Sequence, residues 1–143
     1  MNTMKILRTL LATTTLMFAT TALLSAAEVK VIANNSVAAT SISASDLKDV
    51  FLLDKDTLGG SHVEPVLQNS GATHEAFLKE YIGKPNSVLQ AFYRSLVFTG
   101  KASMPKVTAA DAEAVAYVAK TKGAIGYVSN SANSDGVKVL TIK

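Results

Sequence analysis

The chain has 143 residues and contains no cysteine, no tryptophan, three prolines and two histidines. Without cysteine there is no disulfide, no thiolate metal site and no thiol nucleophile, so the fold must stand on packing alone. The two histidines do not supply a metal centre. His74-Glu75 lacks the second histidine of a zinc-protease helix, and His62 has no ligand partner at a metal-binding spacing. Ser95 stands where a nucleotide-binding phosphate loop ending at Gly100-Lys101 would need its first glycine, and Ala102 stands in place of the hydroxyl that closes that motif. Ser61 and Ser70 lack the strand, turn and helix signature of a nucleophile elbow. Asp54, Asp56 and Glu64 flank a glycine-rich turn and read as a solvated loop. No catalytic constellation emerges, and the expectation is a protein that is not an enzyme, with no cofactor and no metal.

Charge is also scarce where a nucleic-acid binder needs it. Of the 14 Lys and Arg, Lys5 and Arg8 lie in the first 27 residues, whereas all 11 Asp and Glu lie beyond them. The remainder is close to neutral and carries a single arginine, Arg94, so no nucleic-acid partner is expected.

What is present begins with the N-terminus. Lys5 and Arg8 precede an apolar run from Thr9 to Leu24, followed by Ser25, Ala26 and Ala27. That is the plan of a cleaved signal peptide over residues 1–27, with Ser25 and Ala27 satisfying the small-x-small rule and Glu28 starting the mature chain. The run is diluted by threonines and is shorter than the roughly 20 apolar residues of a membrane span. No cysteine follows to accept a lipid. The expected location is the periplasm, and residues 28–143 make one domain of ordinary size.

Along that domain, Val29–Ala33 alternates as a first strand. Ser43-Ala44-Ser45-Asp46 is a helix-start signal for a short helix carrying Leu47, Val50 and Phe51. Gly59-Gly60 breaks the chain before a strand over Val63–Leu67, where Pro65 suggests an edge or a strand start. His74–Ile82 places Phe77, Leu78, Tyr81 and Ile82 on one helical face, ended by Gly83 and Pro85. Val88, Leu89, Phe92 and Leu96 mark another helix that runs out at Gly100. Thr108-Ala109-Ala110-Asp111 repeats the cap signature, with Gly123 as C-cap of the helix that follows. Ala124–Val128 and Val137–Ile142 are the last strands. Alternating strands and helices predict an α/β, three-layer sandwich with a central mixed sheet of about four to five strands.

The segment with the most chemical content is Gln68–Phe77, a small polar loop running straight into an amphipathic helix. Backbone N–H groups in a first helical turn have no intrahelical partner and carry partial positive charge, and Ser70, Gly71 and Thr73 add hydroxyls and close backbone approach. Ser and Thr before a helix are equally the residues of an ordinary N-cap. Local pattern leaves both readings open.

Four stretches together resemble the phosphate-type periplasmic solute-binding proteins of ABC transporters, and in particular short single-domain exported members of that type II binding-protein superfamily. They are Ile42–Phe51; Ser70-Gly71-Ala72-Thr73 with Phe77; Phe98-Thr99-Gly100-Lys101 with Pro105; and Gly123-Ala124-Ile125-Gly126-Tyr127-Val128. The resemblance implies one lobe of the two-lobed receptor fold, with an oxyanion such as phosphate held at Ser70, Gly71, Ala72, Thr73 and His74. It also implies a membrane transporter or a sensor protein as partner, in transport or sensing. Aligned on the Ser-Gly pair, Ser70 and Gly71 match the family's gripping turn; aligned on Phe77, Thr73 takes the threonine and His74 the place where an arginine is common. The chain departs from the pattern in three ways. No Arg or Asp stands between Pro65 and Ala76, and Glu75 occupies the first helical turn, where it competes for the dipole. One lobe also leaves an anion half in water, so binding is expected to be weak or lost, and the alternative is a protein-interaction or signalling module that no longer binds a ligand.

Overall fold

The computed structural model describes residues 28–143; the leader expected over residues 1–27 lies outside the described residues. Strands β1 (Val29–Ala33), β2 (Ser41–Ile42), β5 (Glu64–Gln68), β6 (Lys106–Thr108), β7 (Ala124–Ser129) and β8 (Lys138–Ile142) form one six-stranded sheet in the order β2-β8-β1-β7-β5-β6. β1 pairs antiparallel with β7 and β8, while β2–β8, β7–β5 and β5–β6 are parallel. β3 (Thr57–Leu58) and β4 (Ser61–His62) make a separate ribbon, turned by Gly59 and Gly60 at φ of 59° and 83°. Two successive left-handed residues give the hairpin turn whose twist matches its strands, which is why a glycine pair stands there.

Helices cover both faces of the sheet, as a three-layer sandwich requires. Val31, Ala33, Leu67, Ile125 and Tyr127 pack on one side. They meet α1 (Ala44–Phe51), the helix α2 (Ala72–Phe77) with the π-helical turn Leu78–Ile82 that continues it, and α3 (Asn86–Phe98). Ile32, Val66, Ala124 and Val128 point the other way, onto Ala114 and Val118 of α4 (Asp111–Lys120). Because successive side chains of a strand face opposite layers, covering both makes the inner strands apolar at almost every position.

The sheet has six strands where the pattern predicts about four to five, and β2 and β6 are the two that no stretch of the sequence marks. β2 has two residues and β6 three, too few for alternation to show. Pro65 lies inside the sheet, yet β6 begins its pairing opposite Val66, so the missing N–H of Pro65 falls beyond the end of the ladder on that side. The start of α1 is as read, with Ser43 Oγ accepting from Asp46 N at 3.0 Å. The start of α4 is not: Ala110 is its N-cap, and the Thr108 hydroxyl donates instead to Leu67 O across the β5–β6 pair at 3.1 Å. Gly83, at φ 73°, ends the π-turn as expected.

Candidate oxyanion loop

Parallel pairing brings the carboxyl ends of β5, β6 and β7 to one edge of the sheet. In open α/β folds that edge is where ligands bind. β5 leaves it through Asn69, Ser70 and Gly71 into α2, and Asn69 N extends the ladder to Thr108 O at 3.0 Å. Gly71 takes the N-cap position at φ 102°, a left-handed value that favours glycine.

No side chain caps α2. Ser70 Oγ turns away and donates to Asn69 Oδ1 at 3.1 Å. The first helical bond runs from Glu75 N to Gly71 O at 3.0 Å, which leaves the N–H groups of Ala72, Thr73 and His74 without a partner inside the helix. Ser70, Gly71 and Ala72 are exposed, and Thr73 is half-buried. Ser70 therefore does not act as an ordinary N-cap of α2.

His74 is placed differently from its neighbours. Its side chain is fully buried, with Nδ1 2.5 Å from the Tyr127 hydroxyl and Nε2 2.9 Å from Asn86 Oδ1. Tyr127 Oη also accepts from Gln68 N at 2.9 Å, so its own proton goes to Nδ1 and the ring donates from Nε2 to Asn86. That tautomer satisfies every group in the cluster. The imidazole thus fixes α2 to β7 and to the start of α3 and does not face the loop, so only the backbone N–H of His74 is left to meet a ligand. Burial pushes the Tyr127 phenol well above its ordinary value, partly offset by the bond from Gln68 N. Phe77 stacks on the same tyrosine, ring centroids 3.8 Å apart.

A carboxylate that the sequence reading did not connect to the loop also stands at this edge. Asp111 Oδ1 accepts from Gln68 Nε2 at 2.7 Å, and Oδ2 from Ser129 N at 3.3 Å. Asp111 therefore ties the ends of β5 and β7 to the start of α4. Nothing local reveals this contact, because it depends on β6, whose short run gives no strand signal. Together with Glu75 and Glu113, which lie in the first turns of α2 and α4, it makes the surroundings acidic. Arg94 is on the exposed face of α3. Donors for an anion at this edge are hence neutral N–H and O–H groups.

Two large concavities leave out residues 69–73. One of about 540 Å³ lies at the opposite edge, between the start of β5 and the segment Lys101–Lys106. A second of about 580 Å³ lies between α4 and the β7–β8 connection. Among the described residues there is no group of three or more His, Cys, Asp and Glu placed to hold a metal ion, and no helix is long and apolar enough to cross a membrane.

No family model matches the sequence, and no curated relative is found for it. Solved structures do match. A phosphate ABC transporter substrate-binding protein from Clostridium perfringens, solved with bound phosphate, aligns over 80% of this chain with a TM-score of 0.62 at 14% identity. The fold is that of a binding-protein lobe. An ABC-type phosphate transport receptor from Vibrio cholerae and PstS from Borrelia burgdorferi align over the same share with the same TM-score, at 14% and 16% identity. The chain covers 44%, 45% and 47% of these three proteins, less than half of each. At such identities the likeness is one of fold.

Proposed function

We propose that the protein is an exported, solute-binding-protein-like domain that holds phosphate or a similar oxyanion weakly, as an accessory of transport or sensing. The observation that carries this is the uncapped first turn of α2 at the carboxyl edge of the parallel strands, with exposed Ser70 and Gly71 beside it. An oxyanion there accepts from the N–H groups of Ala72, Thr73 and His74 and from the hydroxyls of Ser70 and Thr73. The three phosphate receptors of like fold support the choice of anion.

Affinity is set by what surrounds those donors. Glu75, Asp111 and Glu113 oppose a multiply charged anion, and a loop open to water screens its attraction. Millimolar binding, about 4 kcal/mol, is the expected scale. Titration of the isotopically labelled protein with phosphate and with sulfate, followed by NMR, tests this directly. The amides of Ala72, Thr73 and His74 should shift together at millimolar ligand, and a Ser70→Ala, Thr73→Ala double variant should weaken the effect without unfolding the chain. Absence of any shift around Ser70–Thr73 would leave the second reading, a protein-interaction or signalling module without a ligand. The acidic surroundings of the loop favour that alternative. Export is tested separately by sequencing the N-terminus of the secreted protein, which should begin at Glu28.

A further inference from the structure

We propose that the end of α3 and the segment that leads from it to β6 form a docking surface for a membrane of anionic phospholipid. Charge and apolar exposure coincide there. Between Glu80 and Asp111 the sequence contains Lys84, Arg94, Lys101 and Lys106 and no Asp or Glu at all. Among the described residues, the large apolar side chains that stand exposed are Val88, Val97, Phe98, Met104 and Val107, all within that acid-free stretch, and Val139 outside it. Phe98 is 92% exposed, the extreme of the set. From Arg94 to Val107 no residue is buried, so this part of the chain stands clear of the core.

The tip is built, not frayed. Gly100 N donates to Val97 O at 3.0 Å and Lys101 N to Leu96 O at 2.9 Å, with Gly100 at φ 71°. Those two bonds are the Schellman closure of a helix, and they hold Phe98 on an ordered last turn with Lys101 immediately past it. An ordered, solvent-exposed aromatic flanked in the chain by Arg94 and Lys101 gains little in water. It gains in an interface where the ring enters the acyl boundary while Lys and Arg reach phosphate head groups, the division of labour of interfacial membrane segments.

Lys101 and Lys106 also line the concavity of about 540 Å³ beside the tip, together with Met104 and Tyr117. The Lys106 ammonium lies 5.2 Å from the Tyr117 ring centroid, and neither lysine is in an ion pair among the described residues. Asp56, just before β3, and Glu64, the first residue of β5, line the same space from elements other than the tip. On the tip's side the groove offers two lysine ammonium groups with no carboxylate partner, beside Met104 and next to an exposed Phe, which suits a lipid phosphate better than an acidic protein face.

The absence of tryptophan supplies a clean probe. A Phe98→Trp variant carries a single reporter at the tip. Its emission should shift to the blue on addition of phosphatidylglycerol–phosphatidylethanolamine vesicles, stay unchanged with phosphatidylcholine vesicles, and return in high salt, where screening shortens to a few ångströms. Lys101→Glu with Lys106→Glu should lower partitioning at least tenfold, since each lysine near an anionic surface contributes about fivefold. Sedimentation of the unmodified protein with anionic vesicles, lost in Phe98→Ser, checks that the reporter has not created the effect. No shift with anionic vesicles, an equal shift with phosphatidylcholine, or sedimentation indifferent to Phe98→Ser overturns the proposal. So does a blue shift without vesicles that grows with protein concentration, which assigns the tip to a second copy of the chain. None of these outcomes depends on whether phosphate binds at Ser70–Thr73.

Discussion

The Tyr127 hydroxyl and the His74 ring meet 2.5 Å apart inside the core, and through them the loop helix α2 is fastened to the central sheet. Tyr127 Oη accepts a hydrogen bond from Gln68 N and donates one to His74 Nδ1, and His74 Nε2 donates one to Asn86 Oδ1. Removing the hydroxyl in Tyr127→Phe leaves Gln68 N and Nδ1 without it in a dry site, for an expected loss of about 1–3 kcal/mol. His74→Ala adds a cavity and should cost more, about 3 kcal/mol. Urea unfolding of both variants and of the double variant gives their coupling. Additive losses would mean that the two side chains do not act as one unit.

The same burial makes the protein sensitive to base. Desolvation raises the phenols of Tyr127 and Tyr93 above their ordinary value, so both stay protonated in the folded chain at a pH where they ionise in the unfolded one. The folded values are the higher ones. The stability that this protection represents is complete below about pH 10 and is lost as the pH climbs from there toward the folded values. Ultraviolet titration of the four tyrosines should show a reversible group and a group that ionises only as the circular dichroism of the fold collapses. Ionisation of all four before unfolding would contradict the burial of Tyr93 and Tyr127.

Long, periodic elements were legible in the sequence because burial on one or both faces writes itself into the pattern. Val29–Ala33, Ala124–Val128 and the core face Phe77, Leu78 and Ile82 are of this kind. What could not be read was decided by partners far away in the chain. β6 exists because β5 offers it an edge, and Asp111 reaches Gln68 only through that pairing. His74 sits on the same turn as Thr73, and only the position of Tyr127 decides that its ring goes inward. The candidate loop was visible as a polar stretch before a helix, whereas the free state of its first-turn amides was not, since Ser70 has the chemistry of a cap and does not act as one.

Two serines that precede helices therefore behave differently under the same substitution. Ser43 Oγ caps α1 through Asp46 N, and Ser43→Ala should destabilise by about 1 kcal/mol. Ser70 is exposed and bonds only Asn69, so Ser70→Ala should stay within about 0.5 kcal/mol of the unmodified protein. Urea midpoints measured side by side decide it. A Ser70→Ala loss as large as that of Ser43→Ala would show that Ser70 caps α2 after all, and would remove the free first turn on which oxyanion binding is proposed.

A second pair of substitutions separates backbone strain from close packing. Gly100 and Gly123 both have left-handed φ, 71° and 76°. A Cβ at Gly100 meets nothing within 4 Å, whereas one at Gly123 meets His62 O at 2.6 Å. Gly100→Ala therefore carries only the conformational cost, about 1 kcal/mol. Gly123→Ala carries that cost and must also push two backbone segments apart, where Glu64 N bonds Gly123 O at 2.8 Å and β5 enters the sheet beside β7. Its expected loss is about 3 kcal/mol. Thermal or urea unfolding should rank the two in that order, and because β5 leads directly to Ser70, Gly123→Ala should also disturb the amide spectrum of the loop while Gly100→Ala leaves it in place. Equal losses would mean that the approach of His62 to Gly123 relaxes freely and does not constrain the entry of β5.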